Sequence, residues 1–242
     1  MGGYSLSFKN LEIQMEMRSI NFSSQLLFAP TDRLDAAGVG DRGVALYSEI
    51  SRRGFALDTV THGQGALVRV EKKLSEGYRR VAVQPDRLEV EEEWAESTVE
   101  EFEKFFLEGA AAFMKTFGAK IFVVQTCVVR ALVPCPANSD ARDFLAFHTA
   151  RIPVENLKGF GVAPGRVGLM FSWHQEAAAP ASQRMVRLES FGREKNQIFV
   201  ENHSIFTEPF TATNLAACGR NLVSTRDFIA NEVARFLTAS GI

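Results

Sequence analysis

The stretch that decides the fold is Ser97-Thr98-Val99-Glu100-Glu101-Phe102, because its pattern returns as Ser224-Thr225-Arg226-Asp227-Phe228. Each copy places a hydroxyl dipeptide before an acidic–aromatic pair, an arrangement typical of the N-terminal cap of a helix. After the first copy, apolar residues recur every three or four positions until Gly118, which is a helix stop signal. The sequence therefore predicts one helix over residues 98–117 and another over residues 225–238.

Strand patterns precede each of these helices in the sequence, and their order is the same in the two halves. The patterns predict strands near 11–28, 55–61, 66–72, 79–84 and 87–93 in the first half and near 121–133, 166–175, 184–191 and 197–205 in the second. A short helix follows the first strand of each half, near 44–53 in the first case and after Ser139 or Asp140 in the second.

This order predicts an α+β fold built by internal duplication of a β-α-β-β-β-α unit. We expect largely antiparallel sheets with helices packed on one face, because the strands come in runs rather than in strict alternation with helices. The two predicted units span residues 1–118 and 119–242 and are separated by little more than Gly118-Ala119. They should therefore share an interface, as one compact domain would.

The composition is that of a globular protein with a phenylalanine-rich core. Of 242 residues, 46% are hydrophobic and 23% charged, and twenty are Phe against three Tyr and two Trp. No apolar run reaches the length of a membrane span, and the N-terminus lacks the pattern of a signal peptide. Because Cys127, Cys135 and Cys218 form no CxxC pair, we expect reduced, buried thiols and a cytoplasmic protein.

Charge is distributed in two adjacent blocks of opposite sign. Residues 52–80 hold seven basic and three acidic side chains, whereas residues 86–103 hold nine acids and one base. Such blocks usually face each other or water. The basic block is also a hypothetical nucleic-acid surface, but the net charge of −2 and the missing interleaved aromatic residues argue against it.

Two His/Glu pairs are the candidate metal ligands. His174 and Glu176 lie two apart on one predicted strand, and Glu201 and His203 lie two apart on another, so each pair shares a sheet face. If these strands were neighbours, the four side chains could hold a divalent metal. The alternative is a polar sheet surface. Since no spacing is as diagnostic as HExxH, we expect no cofactor.

Two polar residues in the apolar strand 121–133 are the candidate ligand-binding residues. Gln125 and Arg130 are costly in a buried strand unless they are paired, and their opposite parity places them on opposite faces. Arg130 either pairs with an acid on a neighbouring strand or binds an anionic ligand. Because no Walker, GxGxxG or GxSxG motif occurs and the cysteines lack a partner base, we assign no catalytic residue.

From Arg79 to Leu88 the chain reads Arg-Arg-Val-Ala-Val-Gln-Pro-Asp-Arg-Leu, and the capped helix with Glu-Glu-Phe and a long apolar strand follow. This layout resembles a sporadically distributed bacterial family of uncharacterised proteins of about this length. The resemblance covers most of the chain and implies the fold but no activity. The chain departs from the family pattern at Val129-Arg130, where the family usually carries an aromatic-Asn pair.

Three functional hypotheses follow. The leading one is a non-enzymatic cytosolic binding or assembly protein with a groove between its halves, for which we expect a protein partner or self-association and consider a small-molecule ligand. The second is a metal-dependent enzyme using His174, Glu176, Glu201 and His203. The third is a nucleic-acid-binding protein acting through residues 52–80, which is disfavoured, and no membrane partner is expected.

Overall fold

The computed structural model of the protein describes residues 17–28, 36–63, 66–135, 139–162, 164–174 and 181–241. The elements of the first half are β1 (Arg18–Phe28), α1 (Ala36–Arg52), β2 (Thr59–Gly63), β3 (Ala66–Lys73), β4 (Tyr78–Val83), β5 (Arg87–Glu93) and α2 (Val99–Phe117). The strand predicted from residue 11 is described only from Arg18, and residues 11–16 lie outside the described part. The predicted helix 44–53 is longer than expected, since α1 begins at Ala36.

The second half contains more helical segments than the sequence predicted. Its elements are β6 (Ile121–Pro134), α3 (Ala141–Asp143), α4 (Val154–Lys158), β7 (Gly168–His174), β8 (Gln183–Ser190), β9 (Gln197–Phe206), β10 (Phe210–Thr211), α5 (Ala216–Phe228) and α6 (Ala234–Ala239). Two π-helical segments interrupt the regular helices, Phe144–Thr149 after α3 and Ile229–Val233 between α5 and α6.

The described strands form a single sheet in which every pair of neighbouring strands is antiparallel. The strand order is β2-β3-β4-β5-β1-β6-β9-β8-β7, and β10 pairs with β6. In each half the first strand pairs with the last long strand, and the remaining strands follow toward the edge of the sheet. The halves meet at β1 and β6, where Ser24 lies opposite Cys127. Strand β2 at one edge is the strand predicted near 55–61, so the first half has four strands after α1, one more than the β-α-β-β-β-α unit contains.

Helix α2 forms as its sequence predicts. Thr98 accepts a hydrogen bond from the Glu101 backbone N–H, and the Glu101 carboxylate accepts one from the Thr98 N–H, which completes a capping box. At the other end Gly118 adopts φ 71°, a left-handed conformation that is less strained for glycine than for other residues. The apolar stripe of the helix packs on the sheet, where Phe102 stacks on Phe22 of β1 at 5.4 Å.

The predicted start of the closing helix was wrong. Helix α5 begins at Ala216, so Ser224 and Thr225 lie inside the helix and do not cap it. The Thr225 hydroxyl donates to the Asn221 carbonyl one turn earlier, and its side chain is fully buried. A hydroxyl inside a helix can bond back in this way, which makes the same dipeptide compatible with an interior position.

The core lies between one face of the sheet and helices α1, α2 and α5. It is rich in phenylalanine as predicted, and the fully buried rings are Phe22, Phe102, Phe105, Phe106, Phe113, Phe122, Phe206 and Phe210. Helices α2 and α5 pack against each other above the junction of the halves. They approach closely at Gly219, where an added Cβ would lie 2.2 Å from a Glu103 carboxylate oxygen.

The opposite-charge blocks face each other on β4 and β5, as the sequence predicted. Arg79 Nε donates to Glu92 Oε2 at 2.7 Å on the helix side of the sheet. On the other side, Arg80 lies 2.6 Å from Glu91. The pairing of these antiparallel strands aligns the two blocks residue by residue. Much of the basic character of residues 78–80 is therefore already neutralised within the sheet.

Candidate functional site

A cavity of about 470 Å³ lies on the helix side of the outer strands β7 and β8. Its other wall is the end of α5, the following π-helical segment and α6. The side chains that dominate its lining are Phe171, Trp173, Arg184, Phe228, Glu232 and Phe236. The size is within the range of small-molecule sites in proteins. It lies away from the junction of the halves.

Strand alternation and pairing bring the sheet wall together. Phe171 and Trp173 are two apart on β7 and so point to one face. The register pairs Phe171 with Val186 and Trp173 with Arg184 on β8. Because directly opposite residues in antiparallel strands point to the same side, this wall combines two aromatic rings, an aliphatic residue and one guanidinium.

The helical wall is formed by residues spaced four apart, Phe228, Glu232 and Phe236. Ile229–Val233 between the first and last of these is π-helical. Single π turns inside helices are often found at functional sites, because they change the direction in which the following side chains point. The Glu232 carboxylate at this wall is held by Arg235, whose Nη1 lies 2.7 Å away.

The aromatic residues contact one another across the cavity walls. Phe171 packs edge-on against Phe236 at 5.4 Å, and Trp173 packs edge-on against Phe228 at 5.9 Å. Two of these rings are nevertheless accessible to solvent, since Trp173 is 42% exposed and Phe236 39% exposed. Large apolar surface facing a concave space is a common property of binding sites.

Arg184 is the charged group in this apolar wall. Its guanidinium lies 4.0 Å over the Phe228 ring, a cation–π contact, and its Nε donates to Ser204 Oγ at 3.2 Å. Within the described ranges no carboxylate pairs with it. Burial lowers the pKa of the Arg184 guanidinium from its ordinary value, because the charged form loses part of its hydration.

A chain of hydrogen bonds from β9 to α5 holds the Arg184 side chain in place. Ser204 Oγ, which accepts from Arg184, donates to Asn202 Oδ1 at 3.4 Å. Asn202 Nδ2 in turn donates to the Thr225 carbonyl at 2.7 Å, on the turn of α5 just before Phe228. Asn202 and Ser204 are fully buried. The guanidinium is therefore connected to the helix on which it stacks, and both walls of the cavity are positioned together.

The corresponding place in the first half is filled by a helix. Strands β4 and β3 lie outward from β1 in the same order as β8 and β7 lie outward from β6. There the 17-residue α1 packs on β3 and buries Leu46 and Ile50 completely. The described helical segments between β6 and β7 are shorter, and the cavity lies over β8 and over β7, the strand that corresponds to β3 under α1.

Gln125 and Arg130 lie on opposite faces of β6, as their parity predicted. Gln125 is fully buried on the helix side, where its Nε2 donates to Ser24 Oγ and to the Cys218 carbonyl. Its Oε1 accepts from Asn221. Arg130 Nε lies 2.6 Å from Glu201 Oε2 on the neighbouring strand β9. Neither residue lines the cavity, and their role in binding a ligand stays a prediction.

The candidate metal ligands are not on neighbouring strands. Strand β8 separates His174 on β7 from Glu201 and His203 on β9. The Glu201 carboxylate is held between Arg130 and Arg187. Glu176 lies outside the described residues, and among those described no group of three or more potential ligands is assembled. The metal hypothesis stays a prediction, and His174 instead lines the cavity.

Apart from His174, sequence reasoning missed the residues that line the cavity. One signal was on β8, where Arg184 shares a sheet face with the apolar residues Val186 and Leu188. A charged residue in an otherwise apolar row is unusual. A second signal was the aromatic pair Phe171 and Trp173, two apart on the preceding strand. Both signals become meaningful only when the strands and the last helix are known to meet.

The three cysteines are buried, as the sequence predicted. Burial raises the pKa of the Cys127 thiol to about 12 and that of Cys135 to about 11, and it also raises the pKa of Cys218. Thiolates are the reactive form, so these side chains are poor nucleophiles at neutral pH.

The native protein is therefore expected to react very slowly with Ellman's reagent at pH 7.5, and the denatured protein to release three equivalents of thionitrobenzoate promptly. The measurement is the absorbance of released thionitrobenzoate over time. Met170→Cys, at a position 66% exposed, is the control that should react at once in the native protein. Rapid reaction of the unsubstituted native protein would contradict the buried placement of its thiols.

In the comparisons with protein-family models and with curated proteins, nothing matches this chain. The bacterial family resemblance inferred from the sequence therefore stays a prediction. None of the helices in the described residues is sufficiently long and apolar to cross a membrane.

Proposed function

We propose that this is a non-enzymatic binding protein that holds a small organic molecule with an apolar body in the cavity of its second half. The observation that carries the proposal is the cavity of about 470 Å³ itself, which is lined by aromatic side chains from β7 and from the helical wall. Exposed Trp173 and Phe236 would lose water-accessible apolar surface on binding, which is favourable.

The proposal includes an origin by internal duplication of one unit. The matching strand order of the two halves supports it, as does the placement of α1 over β3, the strand that corresponds to β7. In this interpretation, shortening of the second copy of α1 opened a space that a ligand now fills. The cavity in the second half replaces the groove between the halves that the sequence suggested, and a cytoplasmic location remains part of the proposal.

Binding is preferred over assembly because the exposed aromatic side chains face a concave space. Assembly keeps one supporting observation, since β7 is an edge strand among the described residues and exposes Met170 on the side opposite the cavity. A protein partner or self-association therefore stays a prediction. Nucleic-acid binding is less favoured because Arg79 and Arg80 already pair with Glu92 and Glu91.

The test is titration with Nile red, a neutral dye that fluoresces in apolar surroundings. We expect the native protein to enhance its fluorescence with saturation, and Trp173→Ala to weaken binding roughly tenfold, because the variant loses a large aromatic contact surface. Met170→Ala is the matched control, since it removes an exposed residue of the same strand on the opposite face. No saturable enhancement by the native protein, or an equal loss in both variants, would remove the proposal.

A further inference from the structure

We propose that the ligand of this cavity carries a carboxylate beside its apolar body, and that Arg184 binds this carboxylate. The inference rests on the proposed function and adds the chemical class of the ligand. It also assigns Ser204 and Asn202 as positioning residues, which act on the ligand only through Arg184.

The first argument is that the Arg184 guanidinium has N–H donors that no described residue uses. Arg184 uses Nε on Ser204, and within the part of the chain that the structure describes its two terminal nitrogens have no hydrogen-bond partner. Arg187, on the opposite face of β8, differs in having carboxylates beside it, with Glu201 at 3.5 Å and Glu189 at 4.0 Å. An arginine with unused donors in a cavity wall is suited to a planar anion.

The second argument is orientation. The Phe228 ring under the guanidinium and the bond to Ser204 restrict the plane and the rotation of the side chain. Asn202 and the Thr225 carbonyl continue this restraint to α5. A donor that is already oriented loses less conformational entropy when an anion binds, so the geometry favours recognition over a flexible surface contact.

The third argument is charge balance. No carboxylate among the described residues pairs with the half-buried Arg184, and an anionic ligand would supply a counter-charge. The acid in the lining, Glu232, is already paired with Arg235. One guanidinium in walls of Phe171, Trp173 and Phe236 matches a monoanion with an apolar body better than a multiply charged phosphate ester, which usually requires several donors.

The experiment compares 4-phenylbutanoate with 4-phenylbutanamide by isothermal titration calorimetry. The two probes have nearly the same shape and differ in charge. We expect the native protein to bind the carboxylate roughly 10–100-fold more tightly, the range that a charge-assisted hydrogen bond supports. Arg184→Met should remove this preference and retain the affinity for the amide, which also shows that the cavity is intact. Arg187→Met, on the same strand and facing away, should leave the preference unchanged.

The positioning role is tested by Ser204→Ala, which keeps the charge of Arg184 and removes its restraint. The preference for 4-phenylbutanoate should fall several-fold with the affinity for the amide unchanged, a result that general loosening of the fold would not give. Equal affinity of the native protein for the two probes, or binding of Nile red without binding of either probe, would overturn the carboxylate assignment and leave the proposed function standing. Failure of Nile red to bind would instead overturn the proposed function.

Discussion

Replacing Glu92 by alanine is expected to lower the free energy of unfolding by roughly 3–5 kcal/mol, because a buried ion pair that loses one partner leaves an uncompensated charge. The Glu92 side chain is 0% exposed, and its carboxylate pairs with Arg79, which is 19% exposed. The same carboxylate accepts hydrogen bonds from the Ser97 hydroxyl and from the Glu96 and Ser97 backbone N–H groups. Its removal leaves four donors without their acceptor.

These bonds also hold the turn between β5 and α2. Trp94 in this turn has φ 49°, a conformation that is unusual for an aromatic residue, and the Glu92 carboxylate fixes the two residues that follow shortly after it. The turn leads directly to Thr98, the N-cap of α2. The effect of the substitution therefore extends from one carboxylate to the placement of the helix that covers the centre of the sheet.

The measurement is urea-induced unfolding followed by circular dichroism at constant pH. Glu93→Ala is the control, because the neighbouring residue faces the other side of the sheet and is only partly buried, and it should change the free energy by less than about 1 kcal/mol. A loss of similar size in both variants, or a small loss in Glu92→Ala, would show that the ion pair and the turn do not act as described.

Much of the fold could be predicted because its signals are local. The capping box at Thr98, the stop at Gly118 and the apolar strand from Ile121 are contained in short stretches of sequence, and all are observed. The start of α5 was misplaced because Ser224-Thr225 carries the same local signal as Ser97-Thr98 in a different setting. A hydroxyl residue caps a helix only where the chain is not already helical, and tertiary contacts decide this.

The cavity could not be predicted in the same way, because its walls are brought together from distant parts of the sequence. Trp173 and Phe228 are in contact only through the pairing of β7 with β8 and the packing of the last helix. The metal hypothesis illustrates the same difficulty, since it required His174 and His203 to lie on neighbouring strands and β8 lies between them. Parity along a strand is local, whereas the order of strands in a sheet is not.

The two halves differ at the helices that close them, although the sequence patterns of these two helices are alike. Helix α2 is regular and capped, whereas the helix that closes the second half contains a π-helical segment at the cavity wall. The other π-helical segment of the described chain also belongs to the second half, between β6 and β7. Among the described residues, π-helical backbone is thus found only in the half that contains the cavity.

Gln125→Leu is expected to lower the free energy of unfolding by about 2–3 kcal/mol, although leucine fills a similar volume. The buried amide of Gln125 bonds Ser24 on β1 as well as the Cys218 carbonyl and the Asn221 side chain on α5. It therefore connects the first strand of each half to the closing helix. Leucine would leave these polar groups without their partner in a site that water does not reach.

The control for this variant is Gln25→Leu, a glutamine on the other face of the neighbouring strand that is only partly buried. We expect that substitution to change stability by less than about 0.5 kcal/mol. Both variants should bind Nile red with the affinity of the native protein, because Gln125 lies outside the cavity. If Gln125→Leu instead weakened Nile red binding and left stability unchanged, Gln125 would be a ligand-binding residue, as the sequence first suggested, and the structural role assigned to it would be wrong.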